Sequence, residues 1–137
     1  MTKPVISIGA ALVDELFHAS EGVLKATTNP AQVTKTAGGV SRNIANQLAL
    51  LGVPVQLISV VGDDSDGDWL KQSCTNVGVK LDALITRKGL SGKYTGILDA
   101  DGSLFTAFLT NAANHLITPE HLQKHRDLLE TASYILA

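Results

Sequence analysis

Val5-Ile6-Ser7-Ile8 is a short β-branched run closed by Gly9, the pattern of a buried strand that ends in a turn. Residues 12–19 and 32–36 have strand-like composition around a polar, turn-rich stretch with Ser20, Glu21, Gly22, Asn29 and Pro30, which predicts a flap or a loop. After Gly38-Gly39, the positions Ile44, Ala45, Leu48, Ala49 and Leu51 follow helical spacing, and Gly52 stands where a C-terminal cap belongs. Residues 53–61 then read as one buried strand. The polar turn 62–67 feeds a second helix that runs to about Val77 and is closed by Gly78. The first half is therefore a β-α-β-α unit.

Residues 94–99 and 103–109 flank Ala100-Asp101-Gly102, and an Asp-Gly step between two strand-like runs predicts a hairpin. Thr118-Pro119-Glu120 supplies an N-cap, a proline at the first helical position and an acid in the first turn, so a helix is expected to about Glu130. Residues 133–137 begin another strand, which the end of the sequence cuts short. Alternating strands and helices imply an α/β fold with a mostly parallel sheet and helices on both faces.

Composition narrows the function. With 137 residues, 45% of them hydrophobic, the chain can build one core and one domain. A net charge of −2 with scattered basic residues argues against a nucleic-acid partner. The most apolar region, 48–61, is interrupted by Gly52, Pro54, Gln56 and Ser59 and is too short to cross a membrane as a helix. The single cysteine, Cys74, has no internal disulfide partner, and no secretory signal opens the chain, so a cytoplasmic location is expected.

Gly38-Gly39-Val40-Ser41-Arg42-Asn43 sits at a loop-to-helix junction, where backbone N–H groups can meet a ligand and glycines let it approach. By spacing alone the motif reads equally as a tight turn before a core helix. Likewise Asp14 could be a solvated or turn-capping acid, and Asn43 a helix-start residue bonded to nearby backbone. Four other features have plainer explanations than chemistry. His121 and His125 lie one helical turn apart but lack a third metal ligand, and fit a solvated helix face. Asp63, Asp64, Asp66 and Asp68 lack the full calcium-loop pattern and fit the start of a helix. Cys74 reads as a buried small side chain and Trp69 as core.

Taken together, Gly9 followed by Asp14, Gly38-Gly39 with Asn43 and the Ala45, Leu48, Ala49, Leu51-Gly52 series, then Val61-Gly62-Asp63-Asp64 with Gly67, resemble in order and spacing the N-terminal signature of ribokinase-like (PfkB-type) carbohydrate kinases. The resemblance covers essentially the whole chain; Ser41 stands where many members have glycine. It implies a ribokinase-like fold, with segments 12–36 and 93–110 as a small β lid over the sugar site and the C-terminal half absent from this sequence. It also implies phosphorylation of a sugar or nucleoside hydroxyl by ATP with Mg²⁺. Asp14 and Asn43 would hydrogen-bond substrate hydroxyls, and Gly38 and Gly39 would offer close backbone contact. A carboxylate can accept from adjacent hydroxyls and an amide can both donate and accept, so such a pair suits a polyol.

The family's catalytic aspartate belongs to a Gly-Ala-Gly-Asp loop that does not occur here, and no Gly-Lys-Ser or Gly-Lys-Thr phosphate loop is present. No catalytic residue, no metal ligand, no complete ATP site and no turnover are thus expected of these 137 residues alone. Within the family, Gly39-Val40 with Arg42-Asn43-Ile44-Ala45, the hairpin 94–102, and Ile117-Thr118 with His125-Arg126 are most similar to pseudouridine kinases. The alternatives are another carbohydrate kinase of ribokinase or fructokinase type, or a non-catalytic sugar-binding or dimerisation module. Exposed strand edges suggest a homodimer through the lid or the sheet edge.

Overall fold

The structure is a computed structural model and describes residues 2–137. Its inner layer is a parallel sheet in the order β4-β1-β9, from β1 (Val5–Ile8), β4 (Val55–Ile58) and β9 (Tyr134–Leu136). Alternation along β1 sends Val5 to one face and Ile6 to the other. Val5, Val55 and Leu57 pack with Ala45 of α1 (Val40–Leu50) and with Leu70 and Cys74 of α2 (Ser65–Thr75). Ile6 and Ile58 pack with Leu122, Leu128 and Leu129 of α3 (Pro119–Lys124) and α4 (Arg126–Glu130). Helices thus cover both faces, and each fully buried Ile or Leu contributes about 1.5–3 kcal/mol.

The first helix forms as its spacing predicts. It ends in a Schellman motif: Val53 N–H donates to Leu48 O at 3.0 Å and Gly52 N–H to Ala49 O at 2.9 Å, with Gly52 at φ 79°, where a side chain would be strained.

Two predicted elements come out divided. Residues 53–61 are not one strand but β4 and then β5 (Val60–Gly62), because the backbone changes partner at Ser59: Ile58 O accepts from Gly9 N–H, whereas Ser59 O accepts from Ile85 N–H. From there β5 pairs in parallel with β6 (Ile85–Arg87), a strand the sequence pattern does not announce. The helix expected to about Glu130 breaks at His125. The bend lets Leu122 on one piece and Leu128-Leu129 on the other reach the same Ile6–Ile58 cluster.

The stretches predicted as flap and hairpin join into an outer sheet of order β3-β2-β7-β8, from β2 (Leu12–Ala19), β3 (Ala31–Gly38), β7 (Lys93–Leu98) and β8 (Leu104–Thr110). The Asp-Gly hairpin of β7 and β8 is present, with Gly102 at φ 84°. This sheet is mostly half-buried or exposed, with burial at Val13 and Ala19 of β2, Gly38 of β3 and Gly96 of β7.

Candidate functional site

The site is built where the outer sheet meets the inner layer. Asp14 lies on β2 in register with Thr36 of β3 and Tyr94 of β7. Its carboxylate rests against Gly38, so closely that a β-carbon at position 38 would overlap it. Gly39, at φ 94°, backs onto the carbonyl of Ala10, and no side chain could replace its hydrogen there. These two glycines are required by close approach, as the loop-to-helix motif suggested. The next turn closes when Asn43 N–H donates to Gly39 O at 2.8 Å and Arg42 N–H to Ala10 O at 3.1 Å.

The four residues singled out by sequence therefore gather around one turn: Asp14 touches Gly38, and Asn43 is hydrogen-bonded to Gly39. The Asn43 side chain is exposed and its Oδ1 accepts from Arg42 Nη1 at 3.1 Å. Asp14 differs from the other acids nearby. Burial pushes its carboxyl above the usual carboxylate range, and no protein donor counters that among the described residues. A partly exposed carboxylate with no protein donor beside a turn has its lone pairs open to ligand hydroxyls. A cleft of about 110 Å³, bordered by Ala10, Leu12, Leu109 and Asn111, adjoins the turn.

Supporting contacts that the sequence did not disclose hold this corner in place. Ser41 Oγ donates to Ile8 O at 2.9 Å, and Ser7 Oγ donates to Ser41 O at 3.0 Å, which ties the start of α1 to the end of β1. Gly9 is needed because a β-carbon there would strike Ser41 Oγ. Ser41, the departure from the glycine of many family members, is thus a tether between two elements. Asp64 caps α2 by accepting from Gly67 N–H at 2.8 Å, and also accepts from the amide and hydroxyl of Ser91, at 2.9 and 2.6 Å. Burial raises the Asp64 carboxyl, but these donors outweigh it and the net displacement is downward. Asp66 accepts from Lys35 of β3 and lies 3.4 Å from Lys93 of β7, which also stands 3.6 Å from Glu15 of β2. The Lys35 ammonium lies 4.9 Å from the centroid of the Trp69 ring.

These contacts explain the acidic cluster as capping and ion pairing. Cys74 is buried in the core, as expected. His121 presents Nε2 to Ala83 O at 2.9 Å and packs beside His125, a structural use. Among the described residues no group of three or more His, Cys, Asp or Glu side chains gathers as a metal site requires. Nor does the Gly38-Gly39 turn suit a phosphate, because the Asp14 carboxylate already presses against it. By this chemistry the residues at the turn do not fit ATP or Mg²⁺. No described helix is long and apolar enough to cross a membrane.

The chain matches the description "pfkB family carbohydrate kinase" over residues 2–137. It is 35% identical over 134 residues to a pseudouridine kinase of Escherichia coli, covering 97% of this chain and 43% of that relative. Among solved structures it resembles a carbohydrate kinase from Agrobacterium tumefaciens at TM-score 0.83 and 26% identity, covering 98% of this chain and 44% of that one. It also resembles an Arabidopsis thaliana ribokinase complexed with ribose and ATP at TM-score 0.83 and 21% identity, covering 98% and 45%. The chain thus spans under half the length of these relatives. The ribokinase-like α/β fold, the glycine turn against Asp14 and the match across residues 2–137 together show that the chain belongs to the pfkB family of carbohydrate kinases.

Proposed function

We propose that this chain is the substrate-binding part of an ATP-dependent kinase that phosphorylates a hydroxyl of a sugar or nucleoside, with pseudouridine as the first substrate to test. The observation that carries the reading is the unpartnered, half-buried Asp14 carboxylate against the Gly38-Gly39 turn, with Asn43 on the same turn. Asp14 accepts from substrate hydroxyls, Asn43 supplies a side-chain amide, and the glycines let the sugar lie close to the backbone. The outer sheet acts as a lid over that turn. The 35% identity to a pseudouridine kinase supports a nucleoside as substrate.

Phosphoryl transfer needs a base for the attacking hydroxyl and cations on the phosphates. These residues do not fit ATP or Mg²⁺ and supply neither the base nor the cations. By itself the chain binds and orients the substrate and does not turn over. A homodimer through the lid is supported by the exposure of the large apolar side chains Val33, Phe105 and Phe108 on the outer sheet. Calorimetric titration of the chain with pseudouridine, ribose, fructose and adenosine tests the reading. Saturable binding of a nucleoside or sugar is expected, and no heat with any of the four from a folded chain overturns it.

A further inference from the structure

Arg42 stands one residue before Asn43, partly buried on the first turn of α1. Its Nη1 donates to Ala37 O at 3.0 Å and to Asn43 Oδ1 at 3.1 Å, and its Nη2 to Asn46 Oδ1 at 3.3 Å and Ser73 Oγ at 3.4 Å. One guanidinium therefore joins the residue preceding the glycine turn, two amides of α1 and a hydroxyl of α2. A guanidinium has five donors and no acceptor, so the atom of Asn43 that faces it must be the amide oxygen. That fixes the side chain's hydrogen-bonding sense. The oxygen keeps one further lone pair beside the guanidinium, and the NH₂ group on the other side can only donate. Asp14, the other polar group at the turn, can only accept while ionised.

We propose that Arg42 is a positioning residue that locks Asn43 as a hydrogen-bond donor and holds the glycine turn in register with it. The proposal rests on the reading of this turn as the sugar site and adds a rule of selectivity. The substrate atom that meets Asn43 must offer a lone pair while its neighbour donates to Asp14. A hydroxyl does both, and an ammonium group, as in an amino sugar, cannot accept. Lysine is no substitute for Arg42, because a point charge cannot span Ala37 O and Asn43 Oδ1 with a planar fork.

A double-mutant cycle on the whole chain tests this, with pseudouridine as the calorimetric probe and circular dichroism to verify folding. Arg42→Lys and Asn43→Ala should each weaken binding by about tenfold, the range of a lost hydrogen bond to a charged or desolvated group. If Arg42 acts through Asn43, Arg42→Lys should cost little further in the Asn43→Ala background. A full additional tenfold loss there overturns the proposal. A second, ligand-free readout separates this inference from the substrate reading. In Arg42→Lys the Asn43 side-chain amide should lose NMR order while the backbone amides of α1 keep theirs. Should the unaltered chain bind no pseudouridine, the cycle is run with whichever of ribose, fructose or adenosine it binds; should it bind none of the four, the substrate reading fails and the amide measurement alone decides on Arg42: unchanged order overturns its positioning role, and lost order supports it.

Discussion

In the layer of β1 and β4 each strand is covered on both faces, and Ile6, Leu57 and Ile58 are at most 1% exposed. In the outer sheet built on β2 and β7, Val33 is 57% and Phe108 59% exposed, and Val13 is the one large apolar side chain that is fully enclosed. The two regions draw on similar apolar residues, but only the first encloses them. Folding free energy is therefore concentrated in the inner layer, while the outer sheet is free to carry an unsatisfied carboxylate whose desolvation a core could ill tolerate.

The sharpest way to break that contrast is to hollow each region in turn. Leu57→Ala should cost about 3 kcal/mol in urea denaturation through lost burial and a cavity. Phe108→Ala should cost about 0.5 kcal/mol or less, as surface substitutions do. Equal losses would abolish the distinction.

The joint between the regions comes next. Asp64→Ala removes the cap of α2 and both bonds to Ser91, and should cost about 2 kcal/mol. Its acid dependence follows from the direction of its shift. The folded-state carboxyl titrates below its ordinary 3.8, so its stabilisation is complete above that pH and is lost as pH falls below it. Urea midpoints measured between pH 5 and 2.5 should fall more steeply for the unaltered chain than for Asp64→Ala.

A smaller effect is expected at the ion pairs under the outer sheet. Asp66→Asn should leave the inner layer unchanged and raise amide exchange in β2, β3 and β7 by about threefold, since partly exposed ion pairs hold segments only modestly. Exchange confined to other segments would separate these pairs from the outer sheet.

The contrast also marks how far sequence could lead. Strand β1, helices α1 and α2 with their closing glycines and the hairpin of β7 and β8 were legible, because periodicity and turn chemistry are local. The division of residues 53–61 was not, since every side chain of β4 and β5 is buried and a change of hydrogen-bond partner at Ser59 leaves no mark in hydrophobicity. The three residues of β6 carry too little pattern to register. Asp14, Gly38, Gly39 and Asn43 could be named by their resemblance to a family signature, and the structure gathers them at one turn. The grip of Arg42 on Asn43, and the shared use of Asp66 by Lys35 and Lys93, depend on contacts between elements and had no sequence signal.

A small stability effect of opposite sign is expected at the proposed substrate acceptor. Asp14 titrates above its ordinary 3.8, so the folded state binds its proton more tightly than the unfolded state and loses stability as pH rises through that interval. Asp14→Asn should therefore leave Tm unchanged or slightly raised at neutral pH, while abolishing the ligand binding proposed for this turn.

The most direct measurement is a ¹³C NMR titration of the Asp14 side-chain carboxyl in the free chain and with pseudouridine. The carboxyl should titrate above 3.8 when free and shift downward with ligand, because hydroxyl donors favour the charged form. A carboxyl that titrates at its ordinary value in the free chain, or is unmoved by a ligand the chain demonstrably binds, would contradict the assignment of Asp14 as the acceptor at the sugar site.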